Sequence, residues 1–163
     1  MDPAESLQRA LDELTFSDLG IDAVTALIID AVTAWGTGHG WRVYRRAPSV
    51  MTLPPPLDRQ HSVLDVALAR PDGPPLAVEV DHTDRRRTVD KLLAEARAGR
   101  VALWVRWGPG GFGAPPDPVR MVTVEVTRRG RLNSRGPGRP PPEHSAATAA
   151  TAAEQAQIPL GET

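Results

Sequence analysis

The sequence contains no cysteine, which excludes a disulfide framework and any zinc site built on thiolates. Long apolar runs are absent too, because no stretch approaches the roughly 20 residues that a bilayer-spanning helix needs. The N-terminus has neither the basic start nor the apolar segment of a signal peptide. From these absences we expect a cytoplasmic protein that does not enter a membrane.

An excess of charge of one sign is also missing, since the chain has 19 basic and 20 acidic residues and a formal net charge of −1. Composition alone therefore gives no global basic field of the kind that attracts nucleic acids. Lysine is scarcest of all: the basic residues are nearly all arginine, and Lys91 is the one lysine. This composition is typical of a GC-rich genome, such as that of an actinobacterium, and it makes the position of Lys91 worth following.

Proline and glycine, with 17 and 14 residues, are distributed unevenly and suggest three segments. We expect a short N-terminal helix within 1–19, an α/β domain over 20–128 and a disordered Arg/Pro/Ala-rich tail over 129–163. The tail has almost no large apolar side chains, so it cannot bury enough area to offset its ordering entropy. The middle segment of roughly 110 residues is long enough for a hydrophobic core.

The hydrophobic pattern of the middle segment predicts an α/β fold with a mixed central β-sheet flanked by helices. Two strands around the turn Pro71-Asp72-Gly73 predict an antiparallel hairpin. A helix and an almost continuous apolar strand follow and predict a parallel crossover. The predicted helices are 2–15, 21–35 and 84–98, the strands are 41–48, 61–73, 74–83, 100–108 and 119–128, and 49–59 is a loop.

Three acidic residues interrupt the hairpin strands. Side chains alternate along a strand, so Asp65 is expected to point away from both Leu64 and Val66, while Glu79 and Asp81 share one face. If the strands pair, the three carboxylates gather in one patch. Buried like charges are costly unless a cation compensates, and Mg²⁺ or Mn²⁺ prefers carboxylate oxygen. The alternative is that each acid faces solvent or pairs with a nearby arginine.

The element order, with Asp65 on one strand and Glu79-Val80-Asp81 on the next, resembles the PD-(D/E)XK nuclease superfamily over about residues 21–126. The resemblance implies a restriction-endonuclease-like αβββαβ core and Mg²⁺- or Mn²⁺-dependent hydrolysis of DNA phosphodiester bonds. It also implies that Asp65 and Glu79 bind the metal and that Val80 lends its carbonyl oxygen. The segment EVDHTDRRRTVDKLLAEARAG, followed by VALWVRW, is similar to nuclease-like proteins of actinobacteria and their phages.

One position departs from the family pattern, because Asp81 stands where the family has a lysine. The domain is then catalytically inactive, or Asp81 is an extra metal ligand, or the cation comes from elsewhere. The family is known to relocate this lysine to the neighbouring helix, where Lys91 lies here. The simpler interpretation of Lys91 is a solvated ion pair with Glu95, four residues on.

Arginines form the second group of candidates. Arg85, Arg86 and Arg87 begin the helix that carries Lys91, and they are placed to contact nucleic-acid phosphates. The arginines between Arg120 and Arg139 form a basic region that would add non-specific nucleic-acid affinity, or else a solvated linker.

Four further residues have two interpretations each. Asp22 or Asp30 would supply the acid that the family often has on its first helix, although a solvent-facing position is the simpler interpretation. Trp107, at a strand end, would stack on a base, or lie in the core. His82 is more simply a core or edge histidine than a general base.

The sequence is compatible with three functions. The first is a metal-dependent nuclease acting on DNA, alone or with a protein partner. The second is a catalytically inactive domain of the same type that binds nucleic acid or a protein. The third is a small interaction or regulatory protein unrelated to nucleic acids. The sequence indicates neither a substrate preference nor an oligomeric state.

Overall fold

The computed structural model describes residues 1–136. The tail predicted to be disordered lies outside the described residues from position 137 onward. In chain order the elements are α1 (Pro3–Asp12), β1 (Phe16–Leu19), α2 (Ile21–Gly38), β2 (Arg42–Thr52), β3 (His61–Ala69), β4 (Leu76–Asp81), α3 (Arg86–Arg97), β5 (Val101–Gly108), β6 (Arg120–Glu125), β7 (Thr127–Arg129) and β8 (Leu132–Arg135).

A five-stranded sheet in the order β2-β3-β4-β5-β6 forms the centre of the fold. Its first three strands are antiparallel, and β5 is parallel to both β4 and β6. The predicted mixed sheet, the hairpin and the parallel step through α3 are therefore confirmed. The strand predicted to end at residue 48 is longer, because β2 continues into the predicted loop and pairs Thr52 with His61.

The two faces of the sheet are covered by different helices. Helices α1 and α2 pack on one face, and α3 packs on the other against Leu64, Ala77 and Trp104. Strand β5 is buried on both faces, which explains its unbroken apolar run. A Cβ at Gly36 would lie 2.2 Å from Leu68 Cδ2, so the absence of a side chain lets α2 approach the sheet closely.

Helix α2 is, by its length and a mean hydropathy of 1.2, the one helix among residues 1–136 that is apolar enough to cross a membrane. In this fold one side of α2 faces the sheet, and its residues Val24, Ile28 and Val32 are completely buried there. Its apolar character therefore has a use inside the core.

A second, three-stranded sheet in the order β1-β8-β7 corrects both predicted segment boundaries. Residues 129–136 are not part of a disordered tail, and residues 16–19 are a strand that pairs with β8. Polar side chains hold this sheet: Asn133 is fully buried and donates to the Leu19 carbonyl, while Arg135 donates to the Glu125 carbonyl. A prediction based on apolar content cannot detect such an anchor.

Candidate active site

The ladder between β3 and β4 stops at the pair Val66–Val78. Beyond this pair, carboxylate side chains accept the backbone hydrogen bonds that the opposite strand would otherwise accept. The Val80 N–H donates to Asp65 Oδ2 at 2.8 Å, and the Asp65 N–H donates to Glu79 Oε2 at 2.7 Å. Each acid thus satisfies a backbone donor on the opposite strand. We call this opening, formed by Asp65, Glu79 and Val80, the strand fork.

Strand β3 changes its orientation at the fork. Leu64 packs with the cluster under α3, whereas Val66 packs with the cluster under α2. The expectation that Asp65 points away from both neighbours is therefore wrong, because strict alternation fails there. On the adjacent strand, Arg46 has a positive φ of 52°, so β2 departs from regular geometry beside Asp65.

Lys91 reaches the strand fork from α3. Its residue is 8% exposed, and its Nζ donates to Glu79 Oε1 at 2.6 Å and to the Val63 carbonyl at 2.7 Å. The solvated ion pair with Glu95 is therefore wrong. A lysine ammonium has three N–H donors, and these two contacts leave one of them for a further acceptor.

The two carboxylates of the fork are difficult to ionise together. Burial raises the pKa of Glu79 to about 7, and the charge of Asp65 adds to this shift while Lys91 opposes it. Burial also raises the pKa of Asp65, although the hydrogen bond from the Val80 N–H works in the other direction. Within residues 1–136, the ammonium of Lys91 is therefore the one positive charge between two desolvated acids, and it cannot neutralise both of them.

Asp81 lies beside this pair and has other partners. Its Oδ2 accepts a hydrogen bond from Trp104 Nε1 at 2.9 Å, and its Oδ1 is 3.8 Å from Arg85 Nε. Among residues 1–136, no three histidine, aspartate or glutamate side chains are close enough to hold a metal together. The three acids line one cleft, and, after burial, the charge of Asp81 helps to raise the pKa of Asp65, but only Asp65 and Glu79 are joined through the fork, whereas Asp81 is bonded to Trp104.

The fork opens into a cleft of about 580 Å³ between the first half of α2 and the start of α3. We call it the fork cleft. Arg85 and Arg87 line it, whereas Arg86 is exposed outside it. Its walls are Ile21, Asp22, Thr25, Ala26, Ile29, Val63, Asp65, Glu79, Val80, Asp81, His82, Arg85, Arg87, Thr88 and Lys91.

The structure separates the remaining candidates. Asp22 lines the fork cleft, whereas Asp30 is exposed and pairs with Arg45. Trp107 is completely buried and donates to Thr25 Oγ1, so base stacking at this residue is wrong.

Two contacts of the structure could not be expected from the sequence. Trp104 is buried in the core, yet its indole N–H donates to Asp81. Glu95 was considered only as a partner of Lys91, yet it is 2% exposed and accepts hydrogen bonds from Ser49 Oγ and the Val50 N–H. The only sequence signal for the second contact is an acid on the apolar face of α3.

Comparison of the chain with models of protein families, with curated proteins and with solved structures gave no match. The function is therefore inferred from the geometry of the fork and its cleft.

Proposed function

We propose that this protein is a metal-dependent nuclease of the PD-(D/E)XK type that hydrolyses DNA phosphodiester bonds at the strand fork. One observation carries the proposal: Asp65 and Glu79 are desolvated side by side at the end of a cleft, and the single lysine of the chain binds Glu79. The order α2-β2-β3-β4-α3-β5 is compatible with the αβββαβ core of that family.

The residues of the fork fit a hard divalent cation. Mg²⁺ commonly binds one or two carboxylates and keeps several waters, so the pair Asp65 and Glu79 suffices without a third acid. The N–H and C=O of one strand residue point to the same side. Because the Val80 N–H points to Asp65 on β3, its carbonyl is directed to the fork as well.

A bound Mg²⁺ or Mn²⁺ would polarise the phosphodiester and lower the pKa of an attacking water. The cation would also offset the burial that raises the pKa values of Asp65 and Glu79, and the smaller like-charge effects of Asp81 on Asp65 and of Asp65 on Glu79. The fork therefore has an electrostatic reason to take up a cation, independent of any reaction.

Lys91 supplies the positive charge that Asp81 cannot give. Its third N–H donor is directed to neither Glu79 nor Val63, and in our proposal it binds a phosphate oxygen or the attacking water. Arg85 and Arg87 neutralise neighbouring phosphates along the cleft wall. Asp81, which accepts a hydrogen bond from Trp104, lies 3.8 Å from Arg85 and would attract its guanidinium to the cleft.

The proposal is tested with supercoiled plasmid and labelled oligonucleotides in Mg²⁺, Mn²⁺ or EDTA. We expect cleavage with either metal, none in EDTA, and none detectable over the same incubation with Asp65→Asn or Glu79→Gln. Arg86→Gln is the matched control, because it removes a charge from the same helix outside the cleft. Cleavage that persists in both acid variants would contradict the proposal.

A second function is favoured by one observation, the two hydrogen bonds that hold Lys91 within the fork. If Lys91 serves only to neutralise Glu79, the domain is an inactive relative that binds nucleic acid or a protein. Salt-dependent DNA binding that is insensitive to EDTA, without cleavage in any metal, is the result that this function predicts.

A further inference from the structure

A second groove, of about 710 Å³, lies next to the fork cleft. It is bounded by the first turn of α2 and by the turn between β7 and β8, and we call it the hairpin groove. Three residues, Ile21, Asp22 and His82, line both cavities, so the two lie side by side on the surface. The other walls are Gly20, Ala23, Arg128, Gly130, Arg131 and Asn133.

The hairpin that forms this groove is locally basic, in contrast to the net charge of −1 of the whole chain. Residues 127–136 include four arginines and no acid. Arg128 and Arg131 line the groove, whereas Arg129 does not. Asp22 is the one acid among the lining residues, so the groove keeps an excess of positive charge.

The position of Arg128 is set by the fold. Its Nε donates to Oδ1 of Asn133 at 2.9 Å, and Asn133 is itself anchored to the Leu19 carbonyl. This contact uses one donor of the guanidinium, whose planar fork suits phosphate oxygens. Gly130 has a φ of 62°, a conformation that glycine adopts easily, and it allows the tight turn that brings Arg131 to the same groove.

We propose that the hairpin groove binds the DNA backbone where it leaves the fork cleft. Arg128 and Arg131 would contact its phosphates without reading bases, because guanidinium–phosphate contacts carry no sequence information. The inference rests on the proposed nuclease function, since DNA bound at the fork cleft would pass the adjacent hairpin groove. It adds a binding surface that the acidic pair and α3 do not provide.

The test measures binding of a labelled DNA duplex by fluorescence anisotropy at several salt concentrations. The full chain carries Asp65→Asn to prevent cleavage, and Arg131→Gln is compared with Arg129→Gln. Both substitutions remove one charge from the same hairpin, but only residue 131 lines the groove. We expect Arg131→Gln to weaken binding about 5-fold and to reduce the slope of log K against log salt by about 1. The control should change neither value measurably.

Arg128→Gln should have the same effect as Arg131→Gln. Because Arg128 also binds Asn133, the thermal unfolding of the Arg128→Gln variant is measured together with its DNA affinity. Equal DNA affinities and salt slopes for Arg131→Gln and Arg129→Gln would overturn the inference. It would also be overturned if polyglutamate bound as tightly as DNA and did so through Arg131, because that result indicates an acidic protein partner.

The two proposals fail in different ways. If the parent chain cleaves DNA but Arg131→Gln binds DNA like its control, the hairpin groove is overturned as a binding site and the nuclease function stands. If DNA binding depends on Arg131 but no metal supports cleavage, the nuclease function is overturned and the groove stands as a binding site. No DNA binding by the parent chain overturns both.

Discussion

Two buried glutamates on the α3 side of the sheet show how similar burial serves different purposes. Glu79 and Glu95 are 5% and 2% exposed. Glu95 is surrounded by donors: it accepts from Ser49 Oγ at 2.6 Å and from the Val50 N–H at 2.7 Å, and Arg100 lies 3.6 Å away. These contacts tie β2 to α3.

Glu79 has donors too, but it also has a carboxylate neighbour and an open cleft. A buried acid surrounded by donors is a satisfied part of the structure. A buried acid placed beside another acid is held at an energetic cost, and such arrangements concentrate at functional sites. The difference between the two glutamates, rather than burial itself, is what supports the proposed function of the strand fork.

The largest expected effect is on cleavage. Asp65→Asn removes a charge from the fork at constant size, and we expect the initial rate in Mg²⁺ to fall about 10³-fold, or about 4 kcal/mol of transition-state stabilisation. Glu95→Gln should leave the rate within about twofold. Similar losses in the two variants would erase the distinction between the two acids.

Stability should respond in the opposite order. Glu95→Ala leaves Ser49 Oγ and the Val50 N–H without their acceptor, and we expect a loss of about 3 kcal/mol in the free energy of unfolding by urea. Glu79→Gln should cost less, because the lost hydrogen bonds are offset by removal of a charge beside Asp65. A larger loss for Glu79→Gln would contradict the comparison.

The role of Lys91 is tested by moving its charge. Lys91→Met should reduce cleavage by about 10²-fold. Adding Asp81→Lys to that variant places an ammonium at the position where PD-(D/E)XK nucleases carry their lysine, and it should raise the cleavage rate about 10-fold above that of Lys91→Met. Unchanged cleavage in Lys91→Met would show that the ion pair with Glu79 is only structural.

The pH dependence of stability distinguishes the fork from the rest of the chain. The pKa of Glu79 is about 7 when folded and 4.5 as its ordinary value, so the folded protein retains the proton longer. The retained proton stabilises the folded state. This stabilisation is complete below pH 4.5 and is lost as the pH rises through 7.

Between pH 5 and 8 in EDTA, we therefore expect the parent chain to lose about 2 kcal/mol more stability than Glu79→Gln. Urea unfolding across this range measures the difference, and Mg²⁺ should reduce it. If the free energy of unfolding changed with pH equally in the two chains, the raised pKa of Glu79 would be contradicted.

The smallest effect is expected at Trp104. Trp104→Phe deletes the hydrogen bond to Asp81 while keeping an aromatic ring, and we expect a loss of about 1 kcal/mol in stability and a two- to threefold change in cleavage. A loss as large as that of Asp65→Asn would make Asp81 a member of the reacting group instead of a neighbour.

The sheet and the acid pair could be predicted because they depend on local patterns. The apolar pattern placed Asp65 and Glu79 on two strands, and the turn at residues 71–73 joined those strands, although alternation gave the wrong direction for Asp65. The bend at Asp65, the contact of Lys91 with the Val63 carbonyl and the burial of Asn133 could not be predicted. They depend on polar contacts between residues distant in sequence, which leave no periodic signal.

The location of a bound metal tests the central claim most directly. Anomalous diffraction from crystals soaked in Mn²⁺ at pH 8, where Glu79 is ionised, would locate it without reference to activity. We expect a peak at the strand fork in contact with both Asp65 and Glu79, and no peak there in Asp65→Asn. A fork that stays empty in the parent chain, or a peak that persists in the variant, would contradict the account.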